Sequence, residues 1–70
     1  MDSRKLKAKM IMTDHDRTSI CNALGISKAA YHRKMNGKSE FRQGEIAAIS
    51  RLLNMTDAEI MDIFFEKKVS

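Results

Sequence analysis

Apolar residues recur every three or four positions along most of the chain, and no segment of strand length alternates between apolar and polar residues. That periodicity places one apolar stripe on each of a series of helices. Proline is absent, and the glycines stand singly at positions 25, 37 and 44, where they can end or interrupt helices. The sequence therefore predicts an all-α fold, a compact domain of five helices.

The first two predicted helices flank a polar break at residues 13–15. Ser3 is expected to cap a first helix that runs to about Met12. Asp16 is expected to cap a second helix that runs through Leu24. The apolar residues at helical spacing are Leu6 and Met10 in the first helix and Ile20, Cys21 and Leu24 in the second.

A three-residue turn, residues 25–27, is predicted between the second and third helices. Gly25 follows the last apolar residue of the second helix, where a left-handed backbone favours glycine. Ser27 can cap the third helix, which is expected to cover residues 28–36. Gly37 and the asparagine before it tolerate positive φ and are expected to end that helix.

Two more helices are predicted in the second half of the chain. The fourth covers about residues 43–53, with alanines 47 and 48 allowing a close helix approach. The fifth opens at residues 56–59, where a threonine followed three positions later by a glutamate forms a capping box. Their stripes are expected to bury Ile46, Ile49 and Leu53 in the fourth helix and Ile60, Ile63 and Phe64 in the fifth.

The positive charge is concentrated in one part of the sequence. The chain has 13 Lys and Arg against 9 Asp and Glu, for a net charge of +4. Residues 27–42 contain five basic residues and one acidic residue, whereas residues 43–70 contain three basic and five acidic residues. A basic face with an acidic back is typical of a phosphate-binding protein, and the alternative is an ordinary solvated surface.

The remaining chemistry excludes several classes of function. One cysteine and two histidines provide neither a disulfide framework nor a structural zinc site, and we expect Cys21 to serve packing. No set of nucleophile, base and orienting residue is visible, so we expect a single domain over residues 1–70 that is not an enzyme and needs no metal or cofactor. No apolar run reaches the roughly 20 residues of a membrane span, and a cytoplasmic location, in the bacterial cytosol or on the nucleoid, is expected.

The spacing of the second and third helices is that of a helix-turn-helix over about residues 17–36. Counting from Arg17, Cys21 occupies the small position where the two helices cross, and Gly25 occupies the turn. Tyr31 occupies the buried position that anchors the second helix of the motif to the core. A glycine-containing three-residue turn that leads into a basic helix is the arrangement that places a recognition helix in the major groove.

With Leu24-Gly25-Ile26-Ser27-Lys28 and the ending Asn36-Gly37-Lys38, the sequence resembles the phage Cro/repressor helix-turn-helix family, also called the xenobiotic-response-element-type family. The resemblance implies a lambda-repressor-like fold. It also implies a phage or prophage transcriptional regulator that binds specific double-stranded DNA through residues 28–36. The sequence departs from that family at Arg17, where glutamine is common, at Cys21, where alanine is usual, and at Lys34, where many relatives bury an apolar residue.

Helical geometry assigns candidate DNA contacts, since residues of one arc of the third helix can reach base edges. The expected base contacts are Lys28, Ala29, His32 and Arg33, and His32 can instead contact a phosphate or simply face solvent. The expected phosphate contacts, at helix starts and in the loop after the third helix, are Arg17, Ser27, Asn36, Lys38 and Arg42.

Residues 63–65 are three consecutive apolar residues, and a single helix cannot turn all of them into the core. The exposed one can pack on a second copy in a symmetric dimer whose recognition helices lie about 34 Å apart on DNA, or it can be an ordinary surface phenylalanine. The alternative function is a protein-interaction module, antitoxin-like or repressor-modulating, that uses Phe64 and Phe65. No small-molecule effector is evident from the sequence.

Overall fold

The computed structural model describes residues 1–65, and within that range it contains five α-helices and no strand. This architecture confirms the predicted all-α fold. The helices are α1 (Ser3–Met12), α2 (Arg17–Leu24), α3 (Lys28–Met35), α4 (Gln43–Leu52) and α5 (Asp57–Phe64).

The five helices share one core. α2 packs against α3 and α4, and α5 packs against α1 and α4. Lys5 pairs with Asp62 and Lys9 pairs with Glu59, an order that shows α1 and α5 to be antiparallel. The buried side chains of the core are Leu6, Met10, Ile20, Cys21, Tyr31, Met35, Ile49, Leu53 and Ile63.

Side-chain caps begin four of the helices. The expected Ser3 cap of α1 is wrong, because Asp2 is the N-cap and its carboxylate accepts hydrogen bonds from the backbone N–H groups of Arg4 and Lys5. A carboxylate also interacts favourably with the positive end of the helix dipole, which the Ser3 hydroxyl cannot match. Asp16 and Ser27 cap α2 and α3 as predicted, and the capping box at Thr56 opens α5.

The turn between α2 and α3 has the predicted geometry. Gly25 adopts a left-handed conformation with φ of 66°, and its N–H donates to the carbonyl of Cys21. The N–H of Ile26 donates to the same carbonyl at 3.1 Å, so the end of α2 is closed by two backbone bonds. A residue with a Cβ at position 25 would be strained by its backbone even though the space beside it is open.

Several boundaries and burials differ from the sequence expectations. α3 ends at Met35, and Asn36 follows with φ of −90°, so only Gly37 adopts a positive φ there. α4 ends one residue early, with Leu53 as its C-cap. Ala47 is exposed, so only the half-buried Ala48 can allow a close approach. The residues expected in the core that are only half-buried are Leu24, Ile46, Ile60 and Phe64.

Candidate nucleic-acid interface

The rotation of α3 is set by two buried side chains. Tyr31 and Met35 lie four residues apart, on the stripe of α3 that faces the core. The Tyr31 hydroxyl donates to the sulfur of Met10 at 3.7 Å, which ties α3 to α1. Burial raises the pKa of Tyr31 above its ordinary value, so the phenol stays neutral and remains a hydrogen-bond donor.

All four predicted base-contact residues lie on the exposed side of α3. Lys28 and Ala29 are in its first turn, and His32 and Arg33 follow one turn later. Within residues 1–65, neither Lys28 nor Arg33 has an acidic partner within ion-pair distance. Both cations are therefore available to an anionic ligand that approaches this face.

The predicted phosphate-contact residues lie on both sides of α3 and at its two ends. Arg17 reaches from the start of α2 to His32, with its Nη1 atom 3.5 Å from His32 Nε2. Arg42 lines a cleft with Arg33 on the other side of α3. The three remaining candidates are exposed at the two ends of α3, and these are Ser27, Asn36 and Lys38.

Ser27 has its hydroxyl oxygen engaged within the protein. The oxygen accepts a hydrogen bond from the N–H of Ala30 at 3.1 Å and so caps α3. The hydroxyl hydrogen can still be donated outwards, because a serine hydroxyl both donates and accepts. The structure therefore gives Ser27 a capping role and leaves its phosphate contact as a prediction.

Lys34 is a structural cation within the basic segment. Its Nζ atom lies 3.0 Å from Glu45 Oε1 and donates to the carbonyl oxygen of Glu40 at 3.2 Å. The same atom lies 5.7 Å from the centroid of the Phe41 ring, within cation–π range. Because this lysine is neutralised by an acid of α4, the exposed positive charge of residues 27–42 is smaller than the sequence count suggests.

Glu45 joins this lysine to the start of α4. Burial on its own raises the pKa of the Glu45 carboxyl, but hydrogen bonds from the Arg42 N–H and from Lys34 outweigh burial and hold the pKa below its usual range. The Arg42 N–H donates to Glu45 Oε1 at 2.8 Å. The only sequence signal for this anchor was the polar residue at position 34, where many members of the Cro/repressor family that the sequence resembles carry an apolar one.

Lys7 was not among the predicted contacts, yet it lies beside them. It lines a surface cleft together with Arg17 and His32, on the side of α1 that faces the helix-turn-helix. The sequence gives no signal for this placement, because α1 contains four basic residues and their neighbours depend on the packing of the helices.

The described residues show neither a membrane-spanning helix nor a metal site. Among residues 1–65, no helix is long and apolar enough to cross a bilayer. The same residues contain no group of three or more histidine, cysteine, aspartate or glutamate side chains that could hold a metal ion. Cys21 is buried as a free thiol in the core.

Comparison with known proteins identifies the family. Neither the curated proteins nor the solved structures gave a match. The family model of the BetR domain matches residues 3–69, which is nearly the whole chain. BetR domains are small helical domains often associated with helix-turn-helix regulators, which agrees with the five helices described above. On the strength of that match, the chain belongs to the BetR domain family.

Proposed function

We propose that this chain is a sequence-specific double-stranded DNA-binding regulator of the Cro/repressor type, derived from a phage or prophage. The observation that carries the proposal is the rotation of α3. Burial of Tyr31 and Met35 turns Lys28 and Arg33 to the surface, and both lack an acidic partner within residues 1–65. A short basic helix anchored behind a glycine turn is suited to the major groove.

In this proposal α3 reads bases and its surroundings hold the DNA backbone. Lys28 and Arg33 donate to guanine O6 and N7, and Ala29 contacts a thymine methyl group. Arg17, Ser27, Asn36, Lys38 and Arg42 contact phosphates and set the position of α3 on the duplex. His32 stands between the two roles, because it lies on the exposed face of α3 and also contacts Arg17.

We further propose that the protein acts as a homodimer and is not an enzyme. Phe65 is the exposed member of the apolar run at residues 63–65, with 47% of its surface accessible. It borders a cavity of about 350 Å³ lined in part by Phe41, Ile46 and Phe64. A second copy that covers this surface would pair two recognition helices about 34 Å apart.

The same surface supports the second candidate function, a protein-interaction module. Phe65 and the adjoining cavity can accept an apolar segment of another protein instead of a second copy. Fold alone does not choose between the two functions, because one scaffold can host both. A chain that ignores DNA at low salt but binds one protein partner stoichiometrically would support the interaction module.

The test is selection of bound duplexes from a randomised pool, followed by fluorescence-anisotropy titration at two salt concentrations. We expect enrichment of a short motif and, with four or five phosphates neutralised, a slope of log K against log salt of about −4 per subunit. A palindromic motif would report the dimer through its half-site spacing. Tight binding without enrichment would show that the chain binds DNA without sequence specificity. Absence of binding at low salt would overturn the proposal that it binds DNA.

A further inference from the structure

Three helices contribute polar side chains to a single surface cleft. Lys7 comes from α1, Arg17 and Thr18 come from the first turn of α2, and His32 comes from α3. The buried side chains of Met10 and Tyr31 form its floor, and Asp16 lies at its edge. The inference drawn from this cleft rests on the proposed DNA-binding function and deepens it.

Nitrogen atoms of Arg17 and His32 lie close together in the cleft. Arg17 Nη1 lies 3.5 Å from His32 Nε2, and among residues 1–65 no carboxylate lies within ion-pair distance of the guanidinium. The guanidinium therefore lies beside the imidazole in the cleft, where both can donate to the same anion.

Lys7 differs from the lysines on either side of it. Lys5 and Lys9 each approach an acid of α5 to 2.8 Å, whereas Lys7 has no ion pair within the described part of the chain. Because Lys7 lies on another face of α1, its side chain lines the cleft with Arg17. The third donor is thus a cation that the fold leaves without an acidic partner in that range.

The cleft has a net positive charge without any contribution from His32. Asp16 contributes a carboxylate that accepts the Ser19 N–H at 2.9 Å, and this bond holds the Asp16 pKa below its usual range. With Lys7 and Arg17 positive and Asp16 negative, these three groups give the cleft one net positive charge. The other groups around His32 are the buried Tyr31 and, one turn earlier on α3, Lys28.

We infer that a backbone phosphate of duplex DNA binds in this cleft, with Lys7, Arg17 and His32 as its donors. A phosphate oxygen between Arg17 and His32 accepts from the guanidinium and from an imidazole N–H, which a histidine provides when Nε2 carries its hydrogen. His32 is thereby assigned to the DNA backbone, and base recognition is left to Lys28, Ala29 and Arg33.

The test uses anisotropy titration of a random-sequence duplex, since phosphate contacts do not depend on base sequence. For Lys7→Gln we expect the magnitude of the salt slope to fall by about 1. For His32→Ala we expect binding about two- to tenfold weaker, as for the loss of one hydrogen bond.

Two matched variants control for loss of a charge and loss of an imidazole. Arg51→Gln removes an exposed cation from α4, outside the cleft, and His15→Ala removes the other histidine, in the loop before α2. We expect Arg51→Gln to leave the salt slope unchanged and His15→Ala to leave the affinity unchanged. Thermal unfolding of each variant shows whether it is folded at the assay temperature.

The outcomes separate the cleft from the broader function. If the unaltered chain binds no duplex at low salt, the proposed function fails and the cleft assignment fails with it. If it binds but Lys7→Gln and His32→Ala match their controls, the cleft assignment alone is overturned. If added inorganic phosphate shifts the His32 ring resonances in NMR until the change saturates, while neither variant alters DNA binding, the cleft is a free-phosphate site. That result also overturns the assignment.

Discussion

α1 and α3 are both basic helices, but the fold uses their charges differently. α1 has four basic residues and no acid, which makes it more basic by sequence than α3. In the folded chain, Lys5 and Lys9 of α1 pair with acids of α5. On α3, Lys34 pairs with Glu45, while Lys28 and Arg33 have no acidic partner within residues 1–65.

The contrast shows that the fold leaves a cation available to a ligand only where no acid pairs with it. α1 lies along α5, whose acids meet its lysines at successive turns. The exposed face of α3 meets no acidic helix, because its neighbour α2 contains no acid. Charge density along the sequence therefore indicates a phosphate-binding segment only after the internal pairs have been subtracted.

The largest effect is expected from the exposed cations of α3. Arg33→Ala or Lys28→Ala should weaken binding to the selected duplex by about 1 to 3 kcal/mol and relax base preference at one position, since a bidentate contact to guanine is lost. Folding stability should change by less than about 0.5 kcal/mol, because both side chains are solvated. Anisotropy against the selected duplex and single-base variants measures the first, and urea unfolding the second.

Arg51→Ala is the matched control for these two variants. It removes an exposed arginine from α4 and should leave both affinity and base preference unchanged. If Arg51→Ala and Arg33→Ala weaken DNA binding equally, only net charge matters. The cations of α3 would then have no special role in binding.

Replacing Lys34, the paired cation of α3, should lower folding stability. Lys34→Ala leaves Glu45 half-buried without its cation and removes the contact over Phe41, so we expect a loss of about 1 to 3 kcal/mol in the free energy of unfolding. Lys38→Ala is the control, because that lysine is exposed and should change stability by less than about 0.5 kcal/mol. Urea denaturation of both, with Glu45→Gln and the Lys34/Glu45 double variant completing a cycle, isolates the pair.

The cycle has a definite contrary result. If the loss in the double variant equals the sum of the two single losses, Lys34 and Glu45 do not interact in solution. Lys34 would then have to be counted with the exposed cations of α3.

Acid should lower the free energy of unfolding by a smaller amount, through protonation of Glu45. The native pKa of Glu45 lies below its ordinary value, so its ionised form stabilises the folded chain fully above the unfolded value near 4.5. That contribution is lost as the pH falls through the lowered native pKa. Unfolding free energies measured between pH 6 and pH 3 should fall more steeply in the unaltered chain than in Glu45→Gln, and parallel curves would contradict the ion pair.

Most of the fold was predictable because local signals agree with one another. Asp16, Gly25 and Ser27 each sit where helix-end chemistry requires them, and the structure confirms all three. The cap of α1 was misplaced by one residue, because Asp2 and Ser3 are both good caps and the choice depends on which one reaches two backbone N–H groups.

The rotation of α3 was predictable from the sequence, but the neighbours of the charged side chains were not. Tyr31 and Met35 mark the buried stripe of α3, so the exposed arc follows from helical geometry alone. The pairing of Lys34 with Glu45 and the position of Lys7 beside Arg17 depend on how separate helices pack. No local pattern encodes such contacts between residues distant in sequence.

The smallest effects should come from the paired lysines of α1, and they should rank by exposure. Lys9 and Glu59 are 16% and 35% exposed, whereas Lys5 and Asp62 are 49% and 59% exposed. Because solvent screens an exposed pair more strongly, Lys9→Gln should lower the melting temperature more than Lys5→Gln, and neither should change the salt slope of DNA binding. The side-chain bond from Lys9 holds the Glu59 pKa below its usual range, so the difference between the two variants should vanish once acid protonates Glu59. A reduced salt slope in either variant would place these lysines on the DNA and remove the distinction between paired and unpaired cations.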